Sequence, residues 1–483
     1  MSKLLNNLPV EDLTEENDYL GIIDKGQIIK TFLESNTDEF KDIKMFSLYG
    51  EWGSGKSTLM KYLQKELKGN FNTFFFEAWQ FESDNNLSLS LLEYLSYESS
   101  DTTDEALGEI VELAAKLFRG FSKSVRISIP GFSIDGNKIV DSLEEELEES
   151  FYQLKQKFEK EFKKWEGHVT RGENPKFNIV FIDDLDRCEP ENVLNLLSAL
   201  KLFFTYGEKT IFFCGIDEKA INEAVRTKYG KVVKANEYLE KVFDISFSMP
   251  EHDDLLKLSS QYFVSKQVES FDGNLNENIS DFFKQINFTN PRRVKKILNK
   301  YQILSNLKEN CTDDSFYKSL IPNIIVNEEG DFFETIFTLY FLILHGFYQD
   351  IFNDFYNIEK KKSNYMNLES KDNDGRIYDF DMKFLEYTFT AIQAKLKTNH
   401  NDSSEITFVS LIRSFAPINP SHIGTYIVFR ERQYFEREFL VPKKRIDYFF
   451  TLYIMTRLDF MKQSSKLSNF NFNNFKLMIN KLL

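Results

Sequence analysis

One stretch, GEWGSGKST at residues 50–58, restricts the fold of this chain more than any other. Gly50, Gly55, Lys56 and Ser57 fit the spacing G-x-x-x-x-G-K-[ST]. An apolar run, MFSLY, enters the loop, and STLMKYLQKEL leaves it with helical spacing. A strand, a glycine turn and a helix in that order bring backbone N–H groups and a helix N-terminus to one point, which suits a polyphosphate. Gly50, Gly53, Ser54, Gly55, Lys56, Ser57 and Thr58 are therefore the expected phosphate cradle. Lys56 is expected to neutralise the β and γ phosphates and Ser57 to ligate Mg²⁺, while Thr58 starts the helix.

A loop of this kind needs an acid on a neighbouring strand. NIVFIDDLD, residues 178–186, is an apolar run ending in carboxylates. Asp183 fits the second Mg²⁺ ligand, opposite Ser57. Asp184 fits the group that orients or deprotonates the attacking water. Asp186 and Arg187 read either as an ion pair that shapes the turn or as an arginine reaching a phosphate or a neighbouring subunit. Asp217 ends the next strand, IFFCGID, and reads equally as a γ-phosphate sensor or as the cap of the helix beginning EKAINEAV. NPRRVKKILN, residues 290–299, places Pro291 at a first helical position with two arginines behind it. Arg292 and Arg293 point in different directions on a helix, so one of them is expected to reach back to a nucleotide, Arg293 being assigned that role; the alternative is a solvated basic face.

The remaining strand signals are NTFFFEAWQF, FNIVFID, KTIFFCGI and VFDISFSM. NTFFFEAWQF shows no clear alternation, as expected of a strand covered on both faces. With helices between them the four runs predict an α/β fold built on a mainly parallel sheet. The interval 84–170 breaks the pattern. It contains helical SLSLLEYLSYES and DEALGEIVELAAKLF, a hairpin-like RISIPGFSIDG, and the charged amphipathic SLEEELEESFYQLKQKFEKEFKKW. The charges of the last read as a solvated face or a coiled-coil contact. After Pro250 the signal is helical: DDLLKLSSQYFVSKQVESF, NPRRVKKILNKYQILSNL, and most of 310–483, with RIYDF and GTYIVFRER as candidate short strands and 360–375 as a mobile loop. The expected organisation is a leader and helix at 1–44, a core at 45–83 and 171–250, a helical insertion at 84–170, a helical lid at 251–305 and a mostly helical domain at 306–483.

Composition narrows the function. The 483 residues carry a formal net charge of −15, which argues against broad binding to nucleic acid or anionic lipid. Three cysteines with no C-x-x-C suit a reducing cytoplasm. The N-terminus lacks a basic region followed by an apolar run. The most apolar stretch, IFTLYFLILHGF, falls short of the roughly 20 residues a membrane span needs and reads as a buried helix. The five histidines are scattered, with no zinc spacing, and no G-x-S-x-G elbow or Cys–His pair stands out.

Taken together, GEWGSGKST, FFFEAWQFE, NIVFIDDLDRCEPENV, IFFCGIDEKAINEAV, YLEKVFDISFSMP and NPRRVKKILN resemble the KAP family of P-loop NTPases over about residues 18–305. The resemblance implies a five-stranded parallel sheet, with one strand between the loop strand and the acidic strand, and a helical lid. It implies hydrolysis of ATP or GTP, ATP being the better fit, with Mg²⁺. It implies an accessory bacterial role in defence or signalling, since the family includes a phage-exclusion protein. Many members carry membrane spans between the loop and the acidic strand; the charged helix here leaves no room for one. The expected function is an ATP-driven switch with an unidentified protein effector and a possible homo-oligomer, in which Arg187 or Lys241 could complete a neighbour's site. Two alternatives stay open: a nucleotide-binding scaffold with little turnover, and a polynucleotide-stimulated ATPase subunit. No arginine-rich acceptor lid is evident, which disfavours a nucleotide kinase.

Overall fold

A computed structural model describes residues 4–84, 86–99, 127–129, 132–134, 151–170, 177–229, 235–251, 254–263, 273–310, 332–350 and 472–482, with single or paired positions at 113, 265, 352–353, 446 and 453. The chain divides into two compact units, one of residues 8–251 and one of residues 1–7 with 252–483.

The first unit contains α1 (Ile22–Ser35), β1 (Met45–Tyr49), α2 (Lys56–Leu67), β2 (Phe71–Glu77), α3 (Leu87–Ser99), β3 (Ile127–Ile129), β4 (Phe132–Ile134), α4 (Phe151–Val169), β5 (Phe177–Asp183), α5 (Pro190–Leu202), β6 (Thr210–Ile216), α6 (Glu218–Tyr229), α7 (Ala235–Val242) and β7 (Ile245–Ser248). Five strands form one sheet in the order β2-β5-β6-β1-β7. Every pair in it is parallel. One strand, β6, therefore separates the loop strand β1 from the acidic strand β5, as the resemblance implies. The hairpin reading of RISIPGFSIDG holds, since β3 and β4 pair antiparallel.

Both faces of the sheet are covered, which explains the absence of polar alternation. Along β5, Ile179 and Phe181 join a core with Ile29, Leu33, Leu59 and Leu63 of α1 and α2. Val180 and Ile182 join the opposite core with α3, α4 and α5. The charged helix α4 belongs to this second core: Leu154, Phe158, Phe162 and Trp165 are buried along one face. Spacings of three and four residues put those four side chains on one stripe; Lys157, Lys160 and Lys164 stay exposed, while Glu161 and Glu166 are buried beside the stripe, Glu166 accepting from the amides of Glu208 at 2.7 Å and Lys209 at 3.0 Å. The first half of the predicted charged helix, residues 142–150, and most of DEALGEIVELAAKLF lie outside the described residues.

The abundance of phenylalanine has a local use. Phe75, Phe181, Phe213, Phe46 and Phe247 come from β2, β5, β6, β1 and β7 and form a ladder across the whole sheet. Neighbouring rings lie 6.1 Å (Phe75–Phe181), 5.5 Å (Phe181–Phe213), 6.4 Å (Phe46–Phe213) and 6.5 Å (Phe46–Phe247) apart. The register pairs Phe75 with Phe181, Phe181 with Phe213 and Phe46 with Phe213. Each ring contact adds about 0.5–1.5 kcal/mol beyond burial and favours one register over its neighbours.

One strand is shorter than NTFFFEAWQF suggests. β2 stops at Glu77, and Ala78–Asp84 winds into a 3-10 turn that leaves Trp79 half exposed. Glu77 is paired with Asp183, where β5 also ends.

The second unit contains α8 (Leu256–Ser259), α9 (Leu275–Gln285), α10 (Pro291–Asn310), α11 (Phe332–Phe347) and α12 (Phe472–Leu482). Helix α9 opens on a capping box of Asn274 and Glu277. Pro291 opens α10, as expected. The apolar stretch of α11 is a buried helix, with Ile336, Leu339, Phe341, Leu342 and Ile343 fully enclosed. Tyr301 of α10 meets Thr335 of α11 at 3.2 Å. The long helix predicted at DDLLKLSSQYF is a single turn in the described residues, because Ser259 and Ser260 lead into a turn at Gln261–Phe263. The segment 360–375 and the candidate strands RIYDF and GTYIVFRER lie outside the described residues. Among the described residues, no helix is long and apolar enough to cross a membrane.

The ladder sets a stability prediction. Phe213 is fully buried and touches the rings of β5, β1 and β7. Phe213→Ala is expected to cost about 3–5 kcal/mol in denaturant unfolding. A loss under about 1 kcal/mol would mean the ladder does not support the sheet.

Candidate functional site

Parallel strands end together, so Tyr49, Glu77, Asp183 and Ile216 lie along one edge of the sheet. Open parallel sheets take ligands at that edge. The glycine loop grows from it. Gly50 N donates to the carbonyl of Ile216 at 3.1 Å, and Met249 N donates to the carbonyl of Tyr49 at 2.7 Å. These bonds tie the loop to the strands on either side of β1. Gly53 and Gly55 have φ of 84° and 100°. That left-handed backbone is open to glycine at little cost, and it turns the chain into α2 at Lys56.

Lys56 is buried, at 6% exposure. Its Nζ donates to the carbonyls of Gly50 at 2.8 Å and Glu51 at 3.2 Å. The ammonium thus sits inside the curl of its own loop. Ser54 is buried and Ser57 half-buried. The hydroxyl of Thr58 accepts from the amide of Val10 at 3.2 Å, where the N-terminal segment runs along α2. Glu11 and Asp12 continue that contact as ion pairs with Lys61 and Lys65, each at 2.5 Å.

Asp183 ends β5 and is 3% exposed. Between it and the loop strand stands β6, whose Gly215 pairs with Leu48 of β1. A Cβ on Gly215 would lie 3.1 Å from Asp183 Oδ1 and 3.1 Å from Met60 Sδ. The missing side chain leaves the carboxylate room beside β6, the strand next to the loop strand. Nothing in the motif spacing reveals Gly215; only the strand order does.

Asp184 is one of two non-glycine residues with positive φ among those described, at 57°. The turn swings its side chain away from the strand's alternation. Burial, and then the charge of Asp183, push its carboxyl up to about 6. Arg187 works the other way: its Nε lies 3.0 Å from Asp184 Oδ1. The arginine's partner is therefore Asp184 and not the adjacent Asp186. The 3-10 turn Leu185–Arg187 explains the difference, because residues three apart eclipse on such a turn. The guanidinium carbon of Arg187 also lies over Trp79, 5.1 Å from the ring centre. The Asp186 carboxyl is raised by burial and drawn back by the charge of Lys56.

Asp217 uses both oxygens. Oδ1 accepts from Lys219 N at 3.0 Å, capping α6, and Oδ2 accepts from Trp52 N in the glycine loop at 2.8 Å. Of the two roles read for it, the cap is observed, with a tie to the loop that the sequence did not signal. Arg293 lies in the second unit. Its amide donates to Asn290 Oδ1 at 3.2 Å and its guanidinium covers the ring of Phe347 at 5.4 Å.

The donor set suits a magnesium–polyphosphate pair. Magnesium takes one or two carboxylates and fills its other positions with phosphate oxygens and water. Asp183 supplies one carboxylate, and the Ser57 hydroxyl one further oxygen. Among the described residues no group of three or more histidine, cysteine or acidic side chains forms a self-sufficient metal cage. Cys188 and Cys214 are free and buried; burial pushes both thiols up, so neither is an activated nucleophile.

Comparison with known proteins agrees with this geometry. Residues 26–308 match the family model described as the KAP family P-loop domain. Two proteins of Methanocaldococcus jannaschii are similar. Uncharacterized protein MJ0181 is 44% identical over 116 residues, covering 23% of this chain and 44% of that protein. Uncharacterized protein MJ0182 is 35% identical over 174 residues, covering 29% of this chain and 88% of that protein. The chain thus spans under half the length of the first and most of the second.

Gly215→Ala tests the path of Asp183. The methyl must displace either the buried carboxylate or Met60, and such overpacking costs about 1–3 kcal/mol. Nucleotide binding without magnesium is expected to survive, and the gain in affinity on adding magnesium to shrink. An unchanged magnesium gain would mean that Asp183 does not depend on the gap.

Proposed function

The chain belongs to the KAP family of P-loop NTPases, and from that premise we propose that it is a magnesium-dependent ATPase whose turnover drives a defence or signalling switch. The observation that carries the reading is the pairing of a complete glycine loop with a buried carboxylate, Asp183, which lies beside Gly215 on the strand beyond β6. P-loop NTPases use such a loop and such an acid together.

In this mechanism the amides of the loop and of the start of α2 hold the phosphates, through residues Gly50, Gly53, Ser54, Gly55, Lys56, Ser57 and Thr58. Lys56 exchanges the carbonyls of Gly50 and Glu51 for β- and γ-phosphate oxygens. Ser57 and Asp183 would hold magnesium, which when bound offsets the charge that builds on the transferring phosphoryl group. Asp184 accepts a proton from a water whose oxygen forms the new bond to the γ phosphorus. The bond from that phosphorus to the bridging oxygen breaks, its electron pair leaves with ADP, and the proton passes from Asp184 to solvent. Arg293 supplies a cation from the helical unit when residues 251–305 act as a lid. The helical region 306–483 carries the change to a protein effector, and a homo-oligomer is compatible with the scheme.

Two variants test the reading. Lys56→Ala removes a charged hydrogen-bonding partner of the phosphates, which costs on the order of 1.5–3 kcal/mol, or about tenfold or more in affinity for Mg·ATP. Unchanged binding would remove the loop from the site. Asp184→Asn keeps the shape of the side chain and removes the base, so phosphate release is expected to fall about 10²–10⁴-fold with affinity near wild type. A wild-type protein that binds Mg·ATP but releases no phosphate, with or without polynucleotide, would be a scaffold instead.

A further inference from the structure

Arg187 is not needed to hold a phosphate in the scheme above, yet it is engaged twice. Its Nε lies 3.0 Å from Asp184 Oδ1. Its guanidinium carbon lies over the indole of Trp79, 5.1 Å from the ring centre. The turn that carries it is closed by its own amide on the carbonyl of Asp184 at 3.2 Å and by Cys188 N on Leu185 at 3.3 Å. The same turn is pinned to the segment after β2, where Glu82 Oε1 accepts from Glu189 N at 2.7 Å and from Asn192 Nδ2 at 3.0 Å. Trp79 and Glu82 belong to one 3-10 turn, Ala78–Asp84. That turn therefore holds the arginine from one side and the start of α5 from the other.

We propose that Arg187 is a positioning residue: it fixes the Asp184 carboxylate by Oδ1 and leaves Oδ2 to face the attacking water. The proposal rests on the reading of Asp184 as the base. A carboxylate on a left-handed turn residue has no strand neighbours to set its torsions. The arginine, itself placed against Trp79, supplies the missing constraint. Arginine suits the task because its Nε–H lies in a rigid plane that can meet a carboxylate oxygen while the opposite face stacks. A lysine would offer charge without that plane.

The test combines steady-state phosphate release with Mg·ATP binding on the full chain, for wild type, Arg187→Gln, Arg187→Lys, Asp184→Asn and the double variant Asp184→Asn with Arg187→Gln. Misplacing a reacting group costs about 10²-fold in rate. Arg187→Gln is therefore expected to lower kcat by roughly that factor with KM and binding near wild type. Arg187→Lys is expected to recover little of the loss. In the Asp184→Asn background the same change should cost less than about twofold, because the group it positions has gone. Arg187→Gln at the wild-type rate overturns the proposal. So does a loss of Mg·ATP binding in that variant, or an equal loss of rate with and without Asp184, since either marks a structural or binding role. Asp184→Asn at the wild-type rate removes the base and the proposal together, while absence of turnover in the wild type removes the ATPase reading on which both stand.

Discussion

The site depends on the parallel register of β5, β6 and β1. Parallel pairing brings three C-terminal strand ends to one edge, and the register decides which residue of β6 lies between the acid and the loop. That residue is Gly215, opposite Leu48. A slip of one residue would put Cys214 or Ile216 there, and every side chain of the strand would change face. The ladder of five phenylalanines fixes this register from the same face of the sheet. Stability and site geometry are thus set by one alignment. Phe213 and Gly215 are two positions apart on β6, so they face the same side of the sheet. Large and small residues on that one face divide the work of packing and access.

Much of this was legible in the chain. The glycine loop, its flanking strand and helix, and the acidic strand were readable because each is a local pattern with a strong physical cause. The unalternating run NTFFFEAWQF announced a sheet covered on both faces, and two buried cores bear that out. What escaped was whatever depends on tertiary placement. The strand reading of NTFFFEAWQF ran on through Trp79 and Phe81 because those residues favour strands, but the sheet ends where β5 ends, at the pairing of Glu77 with Asp183. Past that point there is no partner, and the chain curls into a 3-10 turn. The sequence offers Asp186, a phosphate or a neighbouring subunit as the partner of Arg187, and the ion pair forms with Asp184 instead. The left-handed turn at Asp184 and the tight turn after it make the third residue back the neighbour. Gly215 is set apart from other strand glycines only by the order β5-β6-β1.

The helical unit was harder to read. Its helices α9, α10 and α11 have sound local causes: a capping box, a proline at the first position, and an apolar sequence that is buried on nearly every side. Within the unit, residues 5 and 6 are held by α10, where Asn299 Nδ2 donates to the carbonyl of Leu5 at 2.7 Å and Lys295 Nζ to that of Asn6 at 3.2 Å. Residues 10–12 are held by α2 of the other unit's core. Amphipathic periodicity carries no information about such partners, since the contacts are made by main-chain amides and carbonyls at residues 5, 6 and 10 and by exposed acids at residues 11 and 12.

The charge at the strand edge bears on what the proposed site accepts. Asp184 senses the charges of Asp183, Asp186 and Glu77, and Asp186 senses those of Asp183 and Asp217. Against these acids stand Lys56, enclosed by its loop, and Arg187, committed to Asp184. Lys61 leans to Glu77 and Glu11, and Lys219 to Glu51. Acids exceed the cations that remain uncommitted, so a polyphosphate arriving alone would meet an unfavourable field despite the amides of the loop. A divalent cation entering with the phosphates reverses that balance, and Asp183, buried beside Gly215, is the acid whose own desolvation such an ion would offset. Adjacent acids then need not compete. Asp183 is enclosed, where a metal can satisfy it, and Asp184 is half open and held by an arginine, where it can meet water.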